Sequence, residues 1–374
     1  MKRFLILCSF LLCNTTIMLG LNRERMLDSI PVSEPDSLDL KIGQMLLFGF
    51  YGTAIDTNDA VYRCVQTGQI GNLILYGRNL SSIKTADSIR NLTYAFQKTA
   101  PLPLWIGIDQ EGGIVNRLKP ELGFPPMPSA QWLGTLNNED TTRYYADNTG
   151  FTLSRLGINF NFAPVLDVLN RECPVLGARE RCFSSDPYQI VKHAGIVIKS
   201  HRYFGITTAV KHFPGHGNSR HDSHLGVADV SRFWQTNELI PYTELLKNNL
   251  IDAVMTAHVI NSQLDASLLP ATLSSKIING LLRDSLGFRG VVLSDDLMMK
   301  AISQQYSIEQ TLLLALHAGV DLLLFSNNIR GVRDYEPGQI HATLKRMVIS
   351  GQISRDRIES SYQKIIALKL KKSY

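Results

Sequence analysis

The residues best suited to chemistry lie in one short stretch, Lys211-His-Phe-Pro-Gly-His-Gly-Asn-Ser-Arg-His-Asp-Ser-His224. Four of the chain's nine histidines fall within it, with a lysine and an aspartate. Pro214, Gly215 and Gly217 exclude a continuous helix or strand, so the stretch is a loop. It starts where the apolar, β-branched run Ile206–Val210 stops, at the end of a buried strand. Asp222 and His224 form the most pointed pair. A carboxylate two residues from an imidazole can fix its tautomer and raise its basicity, making a group that gives and takes a proton near neutral pH.

A second candidate closes the apolar run Gly290–Leu293: Ser294-Asp295-Asp296. Adjacent carboxylates after a strand suit a nucleophile or a metal. A metal needs several imidazole and carboxylate ligands on rigid elements. Here most histidines lie on a Gly/Pro loop and no His-x-His closes an early strand, so neither metal nor cofactor is expected. Retaining cleavage of a glycosidic bond uses these residues better. It needs a carboxylate nucleophile and a separate proton donor that later acts as base. Asp295 suits the first role, and His224 with Asp222 the second if the loop closes over the sugar. Asp296 is left to orient its neighbours. Asp109, heading Asp109-Gln-Glu-Gly-Gly113, could accept from two sugar hydroxyls. Arg117, eight residues on, could reach the same pocket or sit as an exposed helix-end cation. Arg179 and Arg181 are both candidate pocket cations, and the loop itself does not choose between them.

The elements that must carry these groups recur along the chain. Strand signals read Ile42–Gly49, Gly71–Tyr76, Leu104–Asp109, Ile158–Val165, Thr207–Lys211, Ala253–His258, Gly290–Asp295 and Asp321–Ser326. Their near-continuous apolar runs suit parallel strands buried on both faces. Helical patterns lie between them at Ser82–Lys98, Thr141–Leu156, Pro187–Tyr203, Ser274–Leu286, Ile308–Ala318 and Gly338–Ile349. Eight strands alternating with helices predict an α/β fold, a single-domain (β/α)8 TIM-type barrel, with a doubly wound sheet as the alternative. Asp109, Asp167, Lys211, His212, His258, Asp295 and Asn327 all fall at or just past strand carboxyl ends. In a barrel these converge on the rim where active sites form.

Bulk properties narrow the partners. The 374 residues are 44% hydrophobic and 19% charged, an ordinary folded composition. Net charge is +5, two units of it from Lys2 and Arg3, and no Lys/Arg block follows, so nucleic acid is not expected as a partner. Residues 1–20 have the basic start and apolar run of a secretory signal, or alternatively a short membrane anchor. That predicts an exported protein, in the periplasm or cell envelope, touching membrane only through an uncleaved leader. Cys8 and Cys13 lack the preceding small residue that lipidation wants. Residues 21–36 are polar and irregular, and the barrel is expected over 37–374. Of the remaining cysteines, Cys64 stands apart, while Cys173 and Cys182 bracket one loop and could pair or stay as thiols.

At these residues the chain resembles glycoside hydrolase family 3, and most closely its single-domain β-N-acetylglucosaminidases (β-hexosaminidases) acting on bacterial cell-wall sugars. The matching motifs are Ile108-Asp-Gln-Glu-Gly-Gly113, Asn161-Phe-Ala-Pro-Val-Leu-Asp-Val168, Lys211-His-Phe-Pro-Gly-His-Gly217, Asp222-Ser-His224 and Ser294-Asp-Asp-Leu297. They occur in family order and span the chain from about residue 37 to its end. The resemblance implies a TIM barrel with Asp295 as nucleophile and Asp222–His224 as acid/base dyad. It implies that Asp109, Arg117, Arg181, Lys211 and His212 hold the sugar; Arg181 is chosen because Glu180-Arg-Cys-Phe183 best matches the family's Glu-Arg-Ser-Phe. Cys182 replaces the usual serine after two extra residues, Ile114 stands where arginine is common, and Asn218-Ser219 where Asp-Thr is common. About eighty residues follow Asp295, enough to finish a barrel, so the acid is expected from the barrel and not from a second domain. The expectation is a monomeric, exo-acting retaining β-N-acetylglucosaminidase. A β-glucosidase, a phosphorylase of the same fold and a non-catalytic sugar-binding barrel are the alternatives.

Overall fold

The computed structural model describes residues 38–223 and 225–371. The leader, residues 1–20, and the irregular stretch to residue 36 lie outside the described residues, as does His224. Eight parallel strands form the centre: β1 Leu46–Gly49, β2 Asn72–Leu75, β3 Trp105–Ile108, β4 Phe160–Asn161, β5 Thr207–Phe213, β6 Ala253–Thr256, β7 Val291–Leu293 and β8 Leu323–Phe325. They pair in chain order, β8 pairs back onto β1, and a parallel bridge from Leu293 to Leu322 closes the ring. This is the (β/α)8 barrel, and the doubly wound alternative is excluded.

Nearly all the strand residues are buried, which is why apolar runs rather than alternation mark them in the sequence. Aromatic side chains fill much of the interior. Phe48 stacks on Phe325 at 5.1 Å, and Phe160 meets both Trp105 and Phe162. Gly107 leaves room for the Phe162 ring, which would lie 2.5 Å from any Cβ at that position.

Helix limits are sharpest where capping chemistry marks them. Helix Pro187–Tyr203 starts after Asp186, whose side chain accepts from the Tyr188 N–H, with proline in its first turn. Helix Ile308–Ala318 opens on a Ser307/Gln310 capping box and ends at Gly319, whose φ is +109°.

Three elements differ from expectation. Ile42 belongs to a helix, Leu38–Gln44, and the strand starts only at Leu46. Both pieces are buried with one residue between them, so their apolar run is continuous and carries no period. The run Ile158–Val165 pairs as a strand only at Phe160–Asn161, because Pro164 has no N–H for a ladder; Val165 adds one bridge to Lys211. The segment over Ser274–Leu286 is a π-helix, Lys276–Ser285. Ten residues are too few for apolar spacing to separate that winding from an α-helix. Among the described residues no helix is long and apolar enough to cross a membrane.

Candidate active site

Two carboxylates and three cations from neighbouring strand ends meet in one cluster on the carboxyl rim. Lys211, in β5, is buried with its Nζ 2.8 Å from Asp109 Oδ1 and 2.6 Å from Glu111 Oε1. Arg181 grips Glu111 with two bonds, Nε to Oε2 and Nη2 to Oε1, each 2.8 Å. Arg117 brings Nη2 to 3.6 Å from Asp109 Oδ2. Burial works against charge on Glu111, Lys211 and Arg181. Yet the cations and their hydrogen bonds hold the Glu111 carboxyl far below the usual range, and the carboxylates hold Lys211 and Arg181 above theirs.

The local chain explains the convergence. Gln110 is buried; its Oε1 accepts from the Arg117 and Leu118 N–H groups and its Nε2 donates to Asn116. That folds the loop after β3 back on itself, so Arg117 returns beside Asp109 and stands on no helix. Glu180 has φ of +56° and turns the chain so that Arg181 enters the cluster while Arg179 remains exposed. Lys211 and His212 are consecutive yet both face this site. In a regular strand they would point to opposite faces, and the β5–β6 register slips between Val210 and Phe213.

Behind the cluster lies Asp167, fully buried. Its Oδ2 accepts from His212 Nδ1 at 2.6 Å and from the His212 N–H, and its Oδ1 accepts from the His216 N–H at 2.7 Å. Burial alone would raise this carboxyl, but His212 keeps it below its ordinary value. With Nδ1 committed to Asp167, His212 Nε2 faces Arg181 at 3.4 Å.

Asp295 follows β7, and its Oδ1 accepts from the Asp296 N–H at 2.8 Å. Asp296 itself is buried and turned away. It accepts from the N–H and hydroxyl of Ser326 and from the Met298 N–H, and burial raises its pKa to about 6. Its carbonyl meets His258 Nε2 at 2.9 Å. Asp296 thus ties β7 to β8 and leaves Asp295 to the rim. Asn327, also at the rim in sequence, spends its side-chain amide on both backbone groups of Tyr335, so it braces a loop.

The histidine-rich loop has two halves. Residues 211–217 are buried, and Arg220 and His221 are exposed. Gly215 and Gly217, which mark the stretch as a loop in the sequence, also have packing reasons. A Cβ at Gly217 would lie 2.0 Å from the Val168 carbonyl oxygen, and one at Gly215 2.4 Å from Glu238 Oε2. Glu238 Oε1 accepts from Asn218 Nδ2 at 2.8 Å. The Asp222 carbonyl accepts from the Leu225 N–H. Asp109, Arg117, Arg181, Lys211 and His212 are therefore in one network; Asp222 and Asp295 lie on neighbouring loops joined by the Ala301 N–H to Ser223 carbonyl bond. Cys173 and Cys182 are free thiols, buried in one small apolar cluster beneath the Arg181 loop.

Sequence reasoning passed over Glu111, His216 and Glu238. Glu111 stands two residues from Asp109 in the same motif, but its burial between Arg181 and Lys211 appears only in the fold. On the same end of the barrel a cleft of about 670 Å³ opens between the loops after β1, β2 and β8, lined in part by Tyr51, Arg78, Arg330 and Arg333. Arg78 lies over the rings of Tyr51 and Tyr76, and Arg117 over the other end of this stack at Tyr76. Tyr76 thus connects a cleft-lining arginine to the charged cluster.

A barrel rim that gathers acids, imidazoles and cations can serve many reactions, and comparison with known proteins gives the class here, a glycoside hydrolase. More narrowly, the chain belongs to glycosyl hydrolase family 3, whose N terminal domain matches residues 37–368. A beta-hexosaminidase of Photobacterium profundum is 36% identical over 269 residues, 71% of this chain and 78% of the relative. One of Haemophilus influenzae is 33% identical over 320 residues, 79% of this chain and 88% of the relative. Among solved structures, a glycoside hydrolase family 3 beta-N-acetylglucosaminidase from Paenibacillus sp. str. FPU-7 superposes with TM-score 0.81 at 35% identity, covering 89% of this chain and 62% of that one.

Proposed function

We propose that the protein is an exo-acting, retaining β-N-acetylglucosaminidase that removes terminal N-acetylglucosamine from cell-wall or related glycans outside the cytoplasm. The observation that carries this reading is the division of labour between the two carboxylates at the end of β3. Glu111, with 4% of its side chain exposed, neutralises Arg181 and Lys211; Asp109, with 18%, is left open to accept from substrate hydroxyls. Arg117, Lys211, Arg181 and His212 border the same space and offer donors to the remaining sugar oxygens. The beta-hexosaminidase relatives support the amino sugar as substrate.

The chemistry follows from the rim. An Asp295 carboxylate oxygen attacks the anomeric carbon as the bond to the leaving oxygen breaks, forming a glycosyl ester. His224, oriented by Asp222, gives its proton to the departing oxygen. It then takes one from water as that water attacks the same carbon and releases Asp295. No metal or cofactor enters either step, and the working unit is a monomer.

Hydrolysis of p-nitrophenyl N-acetyl-β-glucosaminide should exceed that of the β-glucoside by orders of magnitude. The first-formed sugar should be the β-anomer by NMR, in phosphate buffer as in phosphate-free buffer. A fluorinated slow substrate should label Asp295, and Asp295→Asn should abolish turnover with its fold intact. Release of the α-anomer, accumulation of sugar 1-phosphate, or labelling of Asp296 would overturn the assignment.

A further inference from the structure

We propose that buried His216 is a positioning residue for this reaction, holding the acid/base end of the loop to the barrel through Ser223. His216 is a fixed point. Its N–H donates to Asp167 Oδ1, and its carbonyl accepts from the Ser219 N–H at 3.1 Å and from the Cys173 thiol. Its ring packs edge-on against His212, 6.0 Å between centroids. From that anchored ring, Nε2 reaches Ser223 Oγ at 3.1 Å, while buried Nδ1 has no hydrogen-bond partner among the described residues. A neutral imidazole carries one N–H, and leaving a buried donor unmade costs more than leaving a lone pair empty. The proton therefore sits on Nε2 and is donated to the serine. Burial and neighbouring His212 push the His216 pKa down to about 4, which keeps the ring neutral in the working range.

Ser223 is in turn clasped from the far side. It is buried, and its carbonyl accepts from the Ala301 N–H on the segment that follows Asp295 and Asp296. The loop leaves the barrel at Gly217, passes through exposed Arg220 and His221, and returns at Ser223. Asp222 and His224 flank that return point in the chain, so the seating of this one serine bears on the pair. A serine suits the place because it is small enough to bury and offers an acceptor to the imidazole.

This inference rests on the Asp222–His224 assignment above, and the test separates the two. The variants are Ser223→Ala, His216→Leu, His216→Gln and His224→Ala. The substrates are N,N′-diacetylchitobiose, whose leaving group needs a proton, and the 2,4-dinitrophenyl glycoside, whose leaving group does not. Ser223→Ala and His216→Leu should each lose about tenfold or more in kcat/KM on the disaccharide and less than about threefold on the aryl glycoside. His216→Gln keeps an N–H donor near Nε2 and should restore most of the loss. The double variant should be no worse than either single one. Full activity of Ser223→Ala on the disaccharide, or equal losses on both substrates, overturns the proposal. If His224→Ala shows the leaving-group pattern and Ser223→Ala does not, the positioning role alone fails. If His224→Ala also lacks the pattern, the dyad falls and the positioning role with it.

Discussion

The barrel carries a buried charge cluster at each end, and they differ in one respect. At the amino end, Asp321 sits fully buried just before β8. Its Oδ2 accepts from Arg283 Nη2 at 2.6 Å and from the Val292 N–H at 3.0 Å; its Oδ1 accepts from Ser361 at 2.8 Å and Lys364 at 3.0 Å, with Arg357 at 3.4 Å. Both oxygens are bonded by the chain, and most partners come from the helices that close that end. At the carboxyl rim the cluster around Lys211 has similar members, but its outermost pair, Asp109 and Arg117, stays partly exposed at 3.6 Å. A buried acid whose acceptor sites are all filled by the chain ties elements together. One with sites left over binds something else. The same electrostatics thus give a structural knot at one end and, on the function proposed above, a recognition surface at the other.

That contrast breaks most visibly by removing one acid from each end. Asp109→Ala leaves Lys211 bonded to Glu111, so melting should barely move. Losing charged hydrogen bonds to two sugar hydroxyls should lower kcat/KM by about 10²- to 10³-fold. Asp321→Asn should do the reverse. It leaves Arg283 buried without its counter-ion, at a cost of about 3–5 kcal/mol, seen as a melting shift of roughly 5–10 °C. Its kcat/KM at 25 °C should be unchanged. Matched losses of activity and stability in both variants would erase the distinction between the two clusters.

Glu111→Gln sharpens the comparison, because Glu111 belongs to the open cluster by place and to the closed kind by bonding. It should lose on both counts. The melting point should drop by several degrees, and KM should rise about tenfold as Arg181 and Lys211 lose the anchor that aims them. If KM held while stability fell, Glu111 would be a knot only.

What the sequence discloses follows the same division. Eight strands are readable because strands buried on both faces are apolar throughout, and helices such as Pro187–Tyr203 because Asp186 and Pro187 announce the start. Asp109, Lys211 and Asp295 are readable because a charge just past an apolar strand seldom serves packing alone. Glu111 is harder, being one more acid in a glycine-rich turn whose depth only the folded loop reveals. The His216–Ser223 bond spans seven residues of irregular chain and has no periodic trace. Glu238 belongs to no motif in the sequence; only the fold brings it under Gly215 and Asn218. The apolar run through Ile42 misleads for the converse reason, since a buried helix end and a buried strand share one composition.

Glu238 is a third kind of buried acid, and it makes the finest test of what cations do in the other two. No Lys or Arg bonds it among the described residues. Asn218 donates to Oε1, and Oε2 has no hydrogen-bond partner among the described residues. Burial raises its pKa to about 7 from 4.5, the Asn218 bond opposes, and nearby Asp167 adds to the rise. An acid with a folded-state pKa above its unfolded one holds its proton more tightly when folded. Its contribution to stability is present at low pH and is lost as pH climbs from about 4.5 through about 7. Fully ionised, it costs the fold up to about 3 kcal/mol, at about 1.4 kcal/mol per tenfold change in acidity. Glu238→Gln removes the titration and keeps a carbonyl for Asn218. Its melting point should match wild type near pH 5 and exceed it by a few degrees at pH 8, where wild type carries a buried charge without a counter-ion. A difference between the two proteins that stays flat from pH 5 to 8 would mean that Glu238 is already solvated or paired, and that burial without a cation is not what sets this carboxyl apart from Glu111 and Asp321.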